Sequence, residues 1–331
     1  MKKVRILCIR CDHIGDLLVS TPAIHRLRTL WPDAEINMIT SPAGRVALEG
    51  NPDIDHIFVY QKKSPRSWAS LLPVLFRKHD MVVGFNAGSS TIRLLTMLAR
   101  GGKKGFLQTG RFAPWSGDPA VVEHISVCML RELEAEFQLP HDEEPDIRMR
   151  FHVPEKLLEE LRTTYPKKPG MKRVGLFLGN IAKPKMRWPE EKFAALAALL
   201  LEKNPGVEVY AVAGPADVPL LEAFKGIDDE RLHTFVGNVS LKHTTAFIST
   251  CDAFVTSSSS PQHLTAIAGV PMTSITNPRS DARWTPIGPL NFSAISDIPY
   301  DVRGVTLKHV YETLNKSMQG FLIPWKEGDD A

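Results

Sequence analysis

Residues 4–30 read VRILCIRCDHIGDLLVSTPAIHRLRTL, and this stretch decides the fold. Val4 to Arg10 is short and mostly apolar, the pattern of a strand buried in a parallel sheet. A polar loop follows, Cys11 to Asp16, with one glycine at Gly15. Leu17, Leu18 and Val19, then Ala23, Ile24 and Leu27, recur with helical spacing, and Pro22 suits a first helical turn. In an open α/β sheet such a strand-to-helix turn lies at the carboxyl edge, where ligands bind. Asp12 and Asp16 therefore stand where chemistry is placed. A helix N-cap is an equally good reading of Asp16 at this point.

Outward from this stretch the alternation continues. Strands are predicted at Glu35–Ile39, His56–Tyr60, Asp80–Phe85 and Lys103–Phe106. Helices are predicted from Ser41 to near Gly50, around Trp68, Leu71, Leu72 and Leu75, and over Thr91–Ala99. Residues 107–118 read as a loop rich in Gly, Pro and aromatics, and Val121–Phe137 as a long helix. Prolines and glycine between 139 and 171 break the pattern, so a domain boundary is expected there, after a first domain over 1–150. The alternation then restarts. Strands are predicted at Arg173–Leu178, Val207–Val212, Leu232–Phe235, Asp252–Thr256 and Val270–Ile275, the last clear one. Helices are predicted at Pro189–Lys203, Ser240–Thr250, after Pro261 to Ala268, and Val305–Met318. Two doubly wound α/β domains, the second over 171–331, with a cleft between them, are the expected product.

The totals agree with this. The chain has 331 residues, 43% hydrophobic and 23% charged, enough for two sizeable cores. A net charge of +3 is too small to argue for nucleic acid. No apolar run is long enough to span a bilayer, and the first residues lack a signal peptide's apolar region, so a cytoplasmic protein is expected. Of the four cysteines, Cys8 and Cys11 form a C-x-x-C. Cys8 lies inside a predicted strand, not at a helix N-terminus where a thiol is activated, so buried free thiols are the expectation for Cys8, Cys11, Cys128 and Cys251.

Three later stretches could carry chemistry. Lys183, Lys185 and Arg187 follow a strand, beside a helix start, and could hold an anion; a solvated basic loop is the plainer reading. Asp217, after Gly214-Pro215, could accept hydrogen bonds from ribose hydroxyls or cap its own helix. Ser257 to Ser260, with His263 in the following turn, could cradle a diphosphate. The nucleophile elbow G-x-S-x-G, the P-loop and G-x-G-x-x-G are all absent, which argues against a hydrolase, a P-loop NTPase and a dinucleotide oxidoreductase.

Together these stretches resemble glycosyltransferase family 9, the ADP-heptose:lipopolysaccharide heptosyltransferases, over roughly residues 4–290. The pattern R-x-D-x-x-G-D followed by T-P-A stands as Arg10, Asp12, Gly15, Asp16, Thr21, Pro22 and Ala23. R-W-P-x-E stands as Arg187, Trp188, Pro189 and Glu191, and G-P-x-[DE] as Gly214, Pro215 and Asp217. H-L-x-A stands as His263, Leu264 and Ala266. The G-P-T-D-P-x-R loop survives weakly as Asn277, Pro278 and Arg283.

The resemblance implies a GT-B fold of two Rossmann-like domains, the N-terminal one binding acceptor and the C-terminal one nucleotide sugar. It implies inverting transfer of heptose from ADP-heptose to a lipopolysaccharide core or related envelope glycan, with no essential metal and no cofactor. Asp16 matches the base, while Arg10, Asp12 and His13 fall to the acceptor. Lys183, Lys185, Asp217, Val239, Ser258, Ser259, Ser260 and His263 fall to the donor. An anionic acceptor at the inner face of a membrane would need a cationic approach, which Lys62, Lys63 and Arg66, with Lys103, Lys104 and Arg111, could supply.

The chain departs from the family in two places. Met186 stands where the family has lysine, two residues before the tryptophan. Ser258-Ser259-Ser260 replaces D-[ST]-G, so an aspartate and a glycine are missing. A transferase using another nucleotide sugar, or a weak or inactive sugar-nucleotide-binding paralogue, is therefore the alternative.

Overall fold

The computed structural model describes residues 3–108, 123–237 and 240–329. The chain divides into two compact units, Met1–His152 and Val153–Ala331.

The first unit is a five-stranded sheet in the order β3-β2-β1-β4-β5: β1 Arg5–Arg10, β2 Glu35–Thr40, β3 His56–Val59, β4 His79–Gly84 and β5 Gly101–Phe106. Every pairing is parallel. The helices are α1 Ile14–Leu18, α2 Thr21–Leu30, α3 Pro42–Leu48, α4 Pro65–Phe76, α5 Ser90–Leu98 and α6 Ile125–Phe137. Alternate residues of β1 face opposite ways. Leu7 and Ile9, with Val82 of β4, form one apolar cluster with Leu71, Val74 and Leu75 of α4 and Ile92 and Leu95 of α5. Both helices therefore cover the same face of the sheet. On the other face Arg10 reaches Met129 of α6, and α2 packs on α6.

The single helix expected after β1 is two. Pro22 has no N–H for the Leu18 carbonyl, and the Thr21 hydroxyl donates to that carbonyl instead at 2.7 Å. The Ser20 hydroxyl donates to the carbonyls of Asp16 and Leu17. The chain turns at Val19–Ser20, and Pro22 sits in the first turn of α2.

The second unit holds a six-stranded sheet in the order β11-β10-β9-β6-β7-β8, again parallel throughout. Its strands are β6 Lys172–Phe177, β7 Val207–Ala213, β8 Leu232–Val236, β9 Ala253–Ser257, β10 Met272–Thr276 and β11 Asn291–Ile295. Its helices are α7 Glu155–Thr164, α8 Glu190–Lys203, α9 Leu241–Ile248, α10 Ser260–Ile267, α11 Pro278–Trp284 and α12 Leu307–Ser317. Val174, Leu176, Val209, Ala211 and Val255 of the sheet pack with Phe193, Leu196 and Leu200 of α8 and Val310 and Leu314 of α12.

Three elements escape the sequence reading: α7, α11 and β11. Helix α7 lies inside the stretch expected to be a joint. It buries Leu161 and packs on α9 of the same unit. Its end is held by Arg173 of β6, whose guanidinium donates to the carbonyls of Tyr165 and Pro166 and to Glu208 at 2.7 Å. Arg173 and Glu208 are both buried, and Arg173 also stacks on the Tyr210 ring. Segment 121–122 of the expected long helix lies outside the described residues, and the helix is seen from Ile125.

Candidate active site

In each sheet the strand order reverses once, between β1 and β4 and between β6 and β9. At such a switch point the loops leaving the carboxyl edge diverge and open a crevice. The sequence-predicted loops follow these strands.

In the first unit, Arg10 ends β1 and is buried. Its Nη2 lies 3.3 Å from Asp16 Oδ1 and its Nε 3.5 Å from Asp12 Oδ2. Its Nη1 donates to the Phe85 carbonyl at 3.0 Å. Burial pushes the guanidinium pKa down, Asp16 and Asp12 push it back up, and arginine remains charged at ordinary pH. Asn86, just after β4, donates to Asp12 Oδ2 at 3.0 Å. Asp12, His13, Asp16 and Asn86, with Cys11, Ile14, Ser41 and Ala43, line a cavity of ≈ 610 Å³.

This geometry rules out the N-cap reading of Asp16. The N-cap of α1 is His13, and its side chain makes no capping bond. Asp16 lies inside the helix, with its carboxylate on Arg10. Arg10 was expected on the acceptor. The structure buries it and sets its guanidinium against Asp16, Asp12 and the Phe85 carbonyl. His13 is exposed at the cavity. Sequence reasoning missed Asn86, although it directly follows the strand beside β1. That position at the carboxyl edge was the available signal.

Cys8 and Cys11 are free, and burial pushes each thiol up to about 12, with Asp12 adding to the effect at Cys11. Neither supplies a thiolate near neutral pH. Cys251 is likewise pushed up to about 12 by burial.

In the second unit four loops leave the same edge. The loop after β6 turns at Gly179-Asn180, where Asn180 has φ 86, a left-handed value asparagine tolerates. A Cβ at Gly179 would lie 2.5 Å from Asp217 Oδ2 and 2.5 Å from the Phe177 ring, so only glycine fits. Asp217 is buried, and its Oδ1 accepts the backbone N–H groups of Asn180 and Ile181 at 3.1 and 2.9 Å. It therefore braces the neighbouring loop. The cap of its own helix, one of the two roles the sequence suggested, falls instead to Gly214, without a side-chain capping bond.

Lys183 and Lys185 are exposed, flanking and within a single 3-10 turn, Pro184–Met186. The Lys185 carbonyl accepts from Val302 N–H at 2.8 Å, which pins the backbone while the side chain stays in solvent. Met186 Sδ lies 3.7 Å from the amide nitrogen of Asn277, the N-cap of α11. Arg187 pairs with Glu190 in the first turn of α8. Trp188 is fully buried; its indole N–H donates to the Val305 carbonyl and its backbone N–H to Ser257 Oγ.

After β9, Ser258 N–H donates to the Ile275 carbonyl, and Ser259 is the N-cap of α10, with its hydroxyl on the Ser257 carbonyl. Ser260 opens the helix and Pro261 follows. Ser259 makes no side-chain capping bond, so no serine hydroxyl competes for the first-turn N–H groups as an N-cap. His263 is buried in that turn beside Gln262, which accepts from Ser274 and donates to the Trp284 carbonyl. Val239 and Arg111 lie outside the described residues.

The family model of glycosyltransferase family 9 (heptosyltransferase) matches residues 72–301, well over half of the chain. No curated protein matches the chain by sequence. Among solved structures, the chain is similar to a glycosyl transferase family 9 protein from Veillonella parvula, with a TM-score of 0.80 at 19% identity, covering 96% of this chain and 99% of that one. It is similar to E. coli ADP-heptose LPS heptosyltransferase II, with a TM-score of 0.73 at 17% identity, covering 96% and 99%. It is also similar to E. coli heptosyltransferase WaaC with ADP-2-deoxy-2-fluoro heptose, with a TM-score of 0.68 at 15% identity, covering 95% and 99%. At these identities the structures speak for the fold, two parallel-sheet α/β domains of the GT-B kind. The family match speaks for the chemistry: this chain belongs to glycosyltransferase family 9, the heptosyltransferase family, and is a glycosyltransferase.

Proposed function

We propose that the chain moves a heptose from ADP-heptose to a lipopolysaccharide inner-core sugar or a related envelope glycan, with inversion at the anomeric carbon. The observation that carries this is the Asp16 carboxylate, paired with buried Arg10 and lining the ≈ 610 Å³ cavity, in the family's own N-terminal motif. In this reading the first unit binds the acceptor and the second the nucleotide sugar.

Asp16 takes the proton of the acceptor hydroxyl as that oxygen bonds to the anomeric carbon. The bond from that carbon to the ADP oxygen breaks, and the electron pair leaves with ADP. Arg10 fixes the carboxylate, and Asn86 with Arg10 fixes Asp12, which together with His13 can hold acceptor hydroxyls. The departing diphosphate gains charge. Lys183, Lys185 and the N–H groups at the start of α10 beyond Ser258, Ser259 and Ser260 are the groups that would stabilise it. The reaction needs no essential metal or cofactor in this account. The enzyme works in the cytoplasm, peripherally at a membrane that carries its acceptor.

One observation favours a second reading. Met186, packed near Asn277, puts an apolar side chain where the family has a cation, and Ser258 replaces an acid. A transferase using another nucleotide sugar, or a weak or inactive relative, would follow. Calorimetric titration with ADP, ADP-heptose and UDP- and GDP-sugars decides. Selective binding of the ADP compounds supports the heptose donor. Tight binding of another nucleotide sugar overturns the donor and keeps the transferase. If neither binds nor turns over, the Met186→Lys, Ser258→Asp double variant should gain turnover if the chain is a decayed enzyme.

A further inference from the structure

Helices α4 and α5 cover one face of the first sheet, and each buries its inner side in the same cluster. Their outer sides are not wholly polar, as a solvated helix surface usually is, but carry apolar stripes between exposed polar residues such as Arg66, Ser70 and Arg93. On α4 the exposed positions Ala69, Leu72, Pro73 and Phe76 follow at i, i+3, i+4 and i+7. On α5 the exposed positions Leu94, Met97 and Leu98 form a second stripe. Phe76 is 63% exposed and Met97 65%. The two helices touch, so the stripes lie side by side. Singly exposed apolar residues are ordinary, but adjacent stripes on neighbouring helices mark an interaction surface.

The charge around these stripes has one sign. Residues 56–108 contain nine lysines and arginines and one acid, Asp80. Asp80 is occupied with the Arg5 backbone N–H. Arg66 lies three residues before Ala69, Arg77 follows Phe76, and Arg93 and Arg100 flank the α5 stripe. All four are exposed, as are Lys62, Lys63 and Lys104. Lys104 Nζ donates to the Met97 carbonyl, which sets a cation at the end of that stripe.

We infer that the outer face of α4 and α5 is a docking surface for a bilayer carrying anionic lipid. Phe76, Leu72, Met97 and Leu98 enter the boundary between headgroups and acyl chains, and the surrounding cations engage the lipid phosphates. Apolar side chains supply the burial and cations the attraction to a negative surface, the combination that holds peripheral helices at membranes. A protein partner would need both an apolar groove and a dense acidic rim; an anionic leaflet offers both features everywhere. The inference deepens the reading of a membrane-borne acceptor, but it stands on exposed residues of one unit and involves no nucleotide.

The test is flotation of the full chain with vesicles of phosphatidylglycerol and phosphatidylcholine in equal parts, and with phosphatidylcholine alone, neither containing any glycan acceptor. The wild type should bind the first and not the second. Phe76→Ser with Met97→Ser should weaken binding at least about tenfold, since each side chain loses its burial. Lys62→Glu with Arg66→Glu should weaken it similarly. Raising the salt should release the wild type, because screening shortens the reach of the charges from ~10 Å at 0.1 M to ~3 Å at 1 M. Thermal unfolding of both variants should match the wild type, because all four residues are exposed.

Absence of binding, equal binding to both vesicles, or unchanged binding by both variants overturns the inference. A dimer seen by sedimentation that Phe76→Ser with Met97→Ser abolishes, with no vesicle binding, overturns it in favour of a second copy on this face. Failure here leaves the ADP titration untouched, and failure of that titration leaves this result standing.

Discussion

The backbone N–H of Trp188 donates to the hydroxyl of Ser257 at 3.0 Å, with both residues buried. This one bond joins the loop after β6 to the end of β9, across the point where the second sheet reverses its strand order. Ser257→Ala leaves that N–H buried without its partner, at a cost of about 1–3 kcal/mol. We expect a lower unfolding midpoint in urea. We also expect weaker ADP binding, because the loops on either side both lose their mutual anchor. Unchanged values for both would remove the bond's proposed role.

Asp16→Asn keeps the shape of the side chain and removes its capacity to take a proton. Turnover should fall ~100- to 10,000-fold, the usual range for loss of a general base. ADP affinity should stay the same, since Asp16 belongs to the first unit and the proposed function assigns the nucleotide to the second. An asparagine variant with wild-type turnover would dismiss Asp16 as the base.

Arg173 and Glu208 form a buried pair at the other end of the second sheet. Arg173→Met leaves a buried carboxylate uncompensated and should cost about 3–5 kcal/mol. Adding Glu208→Leu should recover much of that loss, because the unpaired charge is then gone. Denaturant unfolding of the two single variants and the double variant measures the coupling directly.

Gly179→Ala would push a methyl group against the Asp217 carboxylate and the Phe177 ring, each 2.5 Å from its position. Such overpacking costs about 1–3 kcal/mol. The displaced Asp217 would also release the N–H groups of Asn180 and Ile181. Loss of stability together with weakened donor binding is expected. A loss of stability alone would separate this turn from the donor.

His79 is fully buried, with Nε2 2.8 Å from the Val74 carbonyl. Burial is the main cause that holds its pKa below the ordinary 6.5; the Val74 carbonyl and Glu35 pull it up, and Arg77 and Arg5 push it down. The unfolded chain therefore binds this proton more readily than the folded one. The contribution is complete above pH 6.5 and is lost as pH falls through the folded pKa. Glu35 acts lower: burial raises its pKa, but the Asn37 hydrogen bond and the charge of Arg77 outweigh this and hold it below 4.5. Stability measured in urea should decline from neutral to mildly acid pH, and His79→Gln should flatten the first part of that decline.

The strand-helix alternation was legible because burial on both faces writes parallel strands as apolar runs, as in Ile6–Ile9 and Val207–Val212. The polar step after Arg10 was plain too, although its sequence pattern runs through Asp16 and α1 already begins at Ile14. Elements with weaker local signatures were missed. β11 is half exposed at the sheet edge and so carries no strong apolar period. α7 does gather Leu157, Leu158 and Leu161 on one face, but only Leu161 is buried and the flanking prolines give the stretch the look of a joint. The break at Val19–Ser20 was within reach of the sequence, since Pro22 cannot donate to Leu18.

The sequence by itself determined the two α/β sheets, the buried free thiols of Cys8, Cys128 and Cys251 (Cys11 is only half-buried) and the family motifs, because periodicity and residue chemistry are local properties. Tertiary structure alone decided what the site residues contact. Arg10 became a buried holder of Asp16 and Asp12, Asp217 became the brace of the loop after β6, and Asn86 joined the cavity from the loop after β4, 74 residues beyond Asp12. Each of those roles depends on which strand lies beside which. That order is set by the packing of the whole sheet and by no stretch of the chain alone.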